Sequence, residues 1–312
     1  MDHRRPPACD WAASSQRGVI GFRGGRLRTT SQAAPTDTRT WFSAATMFSV
    51  EAQPEQRTQV VILPPPVPHL LVADGTVLVC GTRSTRIVQE FAGSRHVVAV
   101  ALRPCLLAGV FDNADGASLV NRLTPISQWI GTRRAAALAE AVDDADSLPG
   151  KVRCLYRLLR LRGLPDGDAA QSRDLVEAVL GTLSKSRVSD AADLHKVSTR
   201  TLLRLFKAHL GIGPKAAARR WRLIDAGTSL VRQPENWARL VPQLGYFDQP
   251  HFINDFRNGL GITPARFAAQ VGLSREVRLA ARRRRDGPGV ADRIQLSATT
   301  GAVPGPGAFV QS

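Results

Sequence analysis

The sequence predicts an α+β chain of two domains, a small β-rich N-terminal domain with following helices and then an all-α domain, with disordered tails at both ends. Three observations carry this. Short strand-like segments joined by tight turns run from 57 to 102. Helical periodicity takes over after Pro104 and holds to about 271. A stretch beginning at Ser198 recurs fifty residues later at Asp248, and both copies close on Leu-Gly-Ile-x-Pro, at Leu210 to Pro214 and Leu260 to Pro264.

Taken in order, residues 1–54 lack sustained periodicity and are rich in Arg, Ser, Thr, Gly and Ala, so a disordered arm is expected there. Met47 stands just before the first structured pattern and is a candidate start of translation. Residues 55–165 form the β-rich domain with its helices. Thr58 to Leu63 reads as a strand ended by three prolines. His69–Ala73 and Val77–Cys80 flank Asp74-Gly75-Thr76, a hairpin signal. Arg86–Phe91 alternates, and His96–Leu102 is apolar enough for burial on both faces. Leu106, Leu107, Val110 and Phe111 fit one helical face, and further helices are expected over Thr132–Val142 and around Val152, Leu155, Tyr156, Leu158 and Leu159. Arg153, Arg157, Arg160 and Arg162 surround that last helix as a solvated basic face. Gly163 to Asp168 is turn-rich and marks the domain boundary. Ser172 is placed as the cap of a helix striped by Leu175, Val176, Val179, Leu180 and Leu183. The second domain spans 172–271, and 272–312 forms a basic, flexible tail.

Charge follows this division. Residues 172–271 hold 15 Lys and Arg against 8 Asp and Glu, and residues 272–312 hold 7 against 3, so most of the net +16 lies in the C-terminal part. That asymmetry points to an anionic partner. No apolar run approaches the ~18 residues of a membrane-spanning helix. Arg4 and Arg5 are followed by no apolar segment of a secretory signal. Cys9, Cys80, Cys105 and Cys154 are scattered with no CxxC pair, which disfavours zinc and disulfide frameworks. A cytoplasmic, nucleoid-associated protein with reduced thiols and no cofactor or metal is the expectation.

In the first copy, Val188–Leu194 forms a short helix, His195-Lys196-Val197 a turn, and Ser198 caps a second helix whose Leu202, Leu205 and Phe206 face inward. This is a helix-turn-helix pattern, and the major groove of B-DNA admits one such helix. Ser198, Thr199, Arg200, Leu203, Arg204 and Lys207 are the candidate DNA-contacting residues. Arg200 and Arg204 stand one turn apart, suited to guanine or phosphate, and Lys207 to phosphate. In the second copy, Trp237 to Leu244 leads through Gly245-Tyr246-Phe247 into a helix capped by Asp248, and Gln249, His251, Asn254 and Arg257 are the candidate contacts. Asn and Gln suit adenine. Pro242 threatens the scaffold helix of this copy, and Asp255, standing where the first copy has Leu205, must turn out, find a partner or weaken the packing. The second unit is therefore expected to bind more weakly. Lys215–Val231, with Trp221, Leu223, Ile224, Ala226 and Leu230, is read as one helix joining the two units.

Residues 172–271 resemble the DNA-binding domain of the AraC/XylS family of bacterial transcription regulators. The matching residues are Val197-Ser-x-Arg200-Thr201-Leu202-x-Arg204-Leu205-Phe206, Leu210-Gly-Ile-x-Pro214, Leu244-Gly-Tyr-x-Asp248-Gln-x-His251-Phe252-x-x-x-Phe256-Arg257 and Gly261-Ile-Thr-Pro264. The resemblance implies seven helices, two helix-turn-helix units on a long linking helix, and a promoter or operator in double-stranded DNA as partner, with RNA polymerase as a further partner. It departs at Pro242 and Asn254. Val79-Cys-Gly81-Thr-Arg83 through Val100-Ala-Leu-Arg103-Pro104 resembles the β-rich N-terminal half of some of these regulators, which implies an unidentified small-molecule effector or dimerisation, and a monomer or homodimer is left open. Two other classes stay beside this one. A metal-dependent cupin-like enzyme would use His69 and His96, and a sequence-indifferent nucleic-acid binder would use the basic tails.

Overall fold

The computed structural model describes residues 19–23, 26–104, 106, 116–159, 167–183, 186–232, 239–269 and 296–297. In chain order these include strands β1 (Val19–Arg23), β2 (Arg26–Ala33), β3 (Phe42–Glu51), β4 (Arg57–Ile62), β5 (His69–Ala73), β6 (Thr76–Cys80), β7 (Ile87–Ala92), β8 (Arg95–Leu102) and β9 (Leu123–Pro125), with one 3-10 turn at Thr36–Thr38. Helices follow: α1 (Ser127–Ile130), α2 (Thr132–Asp143), α3 (Leu148–Leu159), α4 (Gly167–Leu183), α5 (Val188–Leu194), α6 (Thr199–Leu210), α7 (Pro214–Arg232), α8 (Leu240–Gln243) and α9 (Gln249–Leu260). Residues 264–269 are also helical, and a short β10 (Leu296–Ser297) pairs with the outer end of β2.

Two antiparallel sheets build the N-terminal lobe. The larger runs β10-β2-β3-β8-β5-β6-β9 and the smaller β1-β4-β7. The β5–β6 hairpin turns where expected: Ala73 pairs with Thr76, and Asp74 and Gly75 both take positive φ, 49° and 66°, as a two-residue hairpin loop requires. Val72, Val77, Val79, Val98 and Val100 pack with Trp41, Phe42 and the inner faces of α2 and α3 to form the core.

The expected disordered arm over 1–54 is corrected for residues 19–23 and 26–54, and its remaining residues lie outside the described ones. The chain enters the sheets by Val19, and β3 is a central strand, paired to β2 on one side and β8 on the other. Trp41, Phe42, Ala44 and Ala45 are buried. The segment hides in the sequence because Ser and Ala, which carry little strand preference, interrupt the apolar pattern of β3. Met47 lies inside β3, opposite Thr30 and Val98. A chain starting there would lack β1, β2 and half of β3. In the C-terminal tail only Leu296–Ser297 is described, and it is a strand, not an irregular segment.

The expected helix from Leu106 to Phe111, the arginines Arg160 and Arg162 and the turn-rich boundary to Pro165 fall largely outside the described residues. The helix assigned to a Ser172 cap begins at Gly167 and runs through Ser172, with Val176, Val179, Leu180 and Leu183 buried as the stripe requires. Arg153 is exposed and paired with Asp37 at 3.0 Å, which ties α3 to the 3-10 turn.

The two lobes share packed surface. Leu63, Val67 and Ala101 join the hydrophobic core of the helical lobe. Arg103, at the end of β8, forms a buried ion pair with Glu177 of α4, at 2.7 Å from Nε and 2.5 Å from Nη2. Arg220 of α7 is buried and donates to the carbonyls of Pro64 at 3.0 Å, Ser84 at 3.3 Å and Thr85 at 2.5 Å. Burial, then Arg83 and Arg219, pull its pKa down to about 9, so it stays charged near neutrality.

Candidate nucleic-acid interface

The first unit is α5, a turn and α6. Lys196 supplies the tight bend, with φ 53°. Ser198 caps α6 through its hydroxyl, which accepts the Thr201 N–H at 3.0 Å, and Gly211 ends the helix in the left-handed conformation. Leu202, Leu205, Phe206 and Leu210 are buried, which fixes the rotation of α6 and turns the other face outward. Ser198, Thr199, Arg200, Leu203, Arg204 and Lys207 are all exposed on that outward side. No ion pair engages Arg200, Arg204 or Lys207 among the described residues. Burial and the neighbouring Arg204 charge push the His209 pKa down, so the only basic charge in the last turn near neutral pH is Lys207.

The second unit repeats the plan through α8, a turn and α9. Asp248 caps α9, its carboxylate accepting the His251 N–H at 2.7 Å, and Gly261 ends it as Gly211 ends α6. Pro250 falls in the first turn, where no N–H is required. Pro242 sits inside α8, of which Leu240–Gln243 is described. Trp237 lies outside the described residues. Phe252, Phe256 and Leu260 are buried, and Gln249, His251, Asn254 and Arg257 are exposed. Three of these four already have protein partners: Arg257 Nη2 donates to Asn254 Oδ1 at 3.1 Å, and His251 stands edge-on to the Tyr246 ring at 5.2 Å.

Asp255 takes the second of the three courses open to it and finds partners. Arg219 of α7 donates to its Oδ1, and the Tyr246 hydroxyl donates to Oδ2 at 2.7 Å. Burial and this bond push the Tyr246 pKa far up, so the phenol remains a donor throughout the working pH range. Sequence reasoning missed Arg219 and Tyr246 because their link to Asp255 runs between separate elements. It also missed Phe247, 94% exposed in the turn ahead of α9. Exposed aromatic character in a Gly-Tyr-Phe turn is visible in the sequence, but its direction is not.

The linking helix α7 runs Pro214–Arg232 with Ala217, Ala218, Trp221, Leu223, Ile224, Ala226 and Leu230 buried. It therefore lies against both units and against the N-terminal lobe. The two histidines of the metal alternative stand apart. His69 pairs with Ala101 of β8 and is buried, and burial lowers its pKa to about 4. His96 lies five residues back along β8, exposed, with Nδ1 at 3.0 Å from the Ser49 hydroxyl.

Residues 191–270 match a family model described as a helix-turn-helix domain. Among curated proteins, an uncharacterized HTH-type transcriptional regulator of Haemophilus influenzae is 24% identical over 109 residues, 34% of this chain and 37% of that protein. HTH-type transcriptional activators RhaS of Pectobacterium carotovorum and Pectobacterium atrosepticum are 28% identical over 144 residues and 29% over 109. These cover 44% and 33% of this chain, and 50% and 39% of the relatives. The matched part thus spans half or less of the relatives' length. Among solved structures, ToxT of Vibrio cholerae overlaps 80% of this chain and 98% of its own at 7% identity, with a TM-score of 0.37.

Proposed function

We propose that the protein is a sequence-specific regulator of transcription of the AraC type that binds double-stranded DNA through two helix-turn-helix units, a reading supported by the helix-turn-helix match over residues 191–270. The observation that carries this is the paired geometry of α6 and α9. Each is capped by a side chain at its N-terminus, closed by a left-handed glycine, rotated by buried aromatic and aliphatic residues, and left with an outward polar face. Both lie on α7, which holds their separation. Two such helices enter successive major-groove segments about 34 Å apart on one face of the duplex. Arg200 and Arg204 read guanine or hold phosphate, and Lys207 holds phosphate. Gln249 and Asn254 pair with adenine, and His251 and Arg257 complete the second contact. The first unit, whose Arg200, Arg204 and Lys207 meet no ion-pair partner among the described residues, supplies most of the sequence discrimination.

The N-terminal lobe acts on this domain. The contacts made by Arg103 and Arg220 give a small-molecule effector or a second protomer a route to α4 and α7. RNA polymerase is the further partner of a promoter-bound regulator. The protein works in the cytoplasm and catalyses no reaction.

Selection of duplexes from a random pool by the full chain tests the reading, followed by titration of the enriched duplex with an Arg204→Glu variant. The variant is expected to lose affinity for it by roughly a hundredfold, since a good bidentate base contact carries ~1–3 kcal/mol and reversal adds repulsion. Its melting curve is expected to match the unaltered protein. Unchanged affinity would remove α6 as the reader. Enrichment of no sequence at all, with tight binding to bulk DNA, would replace this reading with sequence-indifferent binding.

A further inference from the structure

The second unit is fastened to the linking helix by charge where the first is fastened by apolar contact. Fifty residues before Asp255 the repeat carries Leu205, a buried core residue. Asp255 occupies that inward position with a side chain only 12% exposed, and both its carboxylate oxygens are engaged. Arg219 Nε donates to one oxygen and the Tyr246 hydroxyl to the other, while Arg219 Nη2 also reaches the Asp255 carbonyl at 3.4 Å. One turn further along each helix, Gly259 of α9 meets Leu223 of α7, and a Cβ at Gly259 would overlap the Leu223 side chain. Asp255 to Gly259 and Arg219 to Leu223 are both four-residue steps, so each pair lies along one face of its helix. The two contacts line up across the α7–α9 crossing and together restrain rotation and sliding.

Tyr246 adds a third point. It belongs to the turn before α9, packs edge-on to Phe252 at 5.1 Å, and lies under the Arg222 guanidinium at 5.5 Å from its ring centre. Two residues of α7 thereby hold both the turn and the reading helix. Apolar packing of the kind Leu205 provides adapts to small shifts. Charge-assisted bonds from a planar guanidinium demand a fixed direction.

We propose that Arg219, Asp255 and Tyr246 are positioning residues that set the angle and offset of α9 on α7, and so determine the half-site spacing that the second unit accepts on duplex DNA. The proposal rests on the DNA-reading function above. None of the three is among the outward residues Gln249, His251, Asn254 and Arg257, so each acts through the placement of α9.

The probe is the duplex enriched by the full chain, together with versions scrambled in one half-site and versions lengthened or shortened by a single base pair. Asp255→Asn and Arg219→Met are each expected to lose about tenfold of the preference for the enriched spacing over the altered ones, while affinity for a duplex holding only the first half-site stays within about twofold. The exchange of Arg219→Asp with Asp255→Arg is expected to regain part of that preference, which a general loss of packing would not allow. Full spacing preference in both single variants overturns the proposal and leaves the DNA reading intact. Equal loss on the first half-site alone, or no recovery in the exchange, also overturns it, because the defect is then not one of placement. An enriched motif with a single half-site overturns it as well. Failure to enrich any sequence removes the DNA reading itself, and the proposal with it.

Discussion

Replacing Glu177 with alanine leaves a buried cation without its counter-charge at the junction of the two lobes. Arg103 is 9% exposed and Glu177 3%. Two guanidinium nitrogens donate to one carboxylate oxygen at 2.7 and 2.5 Å, and Nη1 donates to the Arg39 carbonyl at 3.1 Å. Without the carboxylate, that carbonyl is the partner Arg103 retains among the described residues. Removing one member of a buried pair costs about 3–5 kcal/mol, against a typical domain stability of about 5–15 kcal/mol. The Arg103 side chain keeps 11% exposure, so water can reach part of it, and the lower end, about 3 kcal/mol, is expected. Urea unfolding of the full chain, followed by circular dichroism, measures the loss. The double variant Arg103→Met with Glu177→Leu should recover most of it, because an apolar pair leaves no charge to desolvate. A loss below about 1 kcal/mol for Glu177→Ala would refute the reasoning, since the site would then behave as a solvated surface pair.

Three further outcomes follow from the same geometry. Ser198→Ala removes the cap of α6 and should lower stability by about 1 kcal/mol, with Ser198→Gly costing only a few tenths, measured by thermal or urea melts. His69 is held neutral in the fold with a pKa of about 4 against 6.5 for a free imidazole. The unfolded chain therefore binds the extra proton, and stability is lost as pH falls from about 6.5 toward 4, by up to about 3 kcal/mol; a His69→Gln variant should show a flatter acid limb in melts across that range. Removal of residues 1–46 takes away β1, β2 and half of β3, and should abolish the cooperative unfolding transition of the N-terminal lobe; a truncated chain that melts like the full one would mean these strands add nothing to the core.

Local features were legible in the sequence. The Asp74-Gly75 hairpin, α2, α7 and the capped helices α6 and α9 depend on signals within a few residues: a turn that needs positive φ, a capping oxygen, an apolar stripe at helical spacing. The outward placement of Arg200, Arg204 and Lys207 followed directly, because burying Leu202, Leu205 and Phe206 leaves the opposite face to solvent. What failed to show was non-local. β3 carries small residues with weak strand character, and its status as a central strand depends on partners at 26–33 and 95–102. Arg220 reads as one basic residue among several on α7, yet its burial is decided by the carbonyls of Pro64, Ser84 and Thr85 in the other lobe.

By itself, then, the sequence determined the duplicated unit: its caps, its inward apolar residues and the outward faces of its two helices, all set by short-range periodicity and backbone chemistry. The tertiary structure alone decided how those helices are held. Asp255 could have been a flaw in the second copy, but the chain brings Arg219 and Tyr246 to it and turns a buried carboxylate into a fixed joint. The physical reason is that a charge inside a protein is stabilised or destabilised by whatever three-dimensional packing puts beside it, and no local pattern encodes which distant residue that will be.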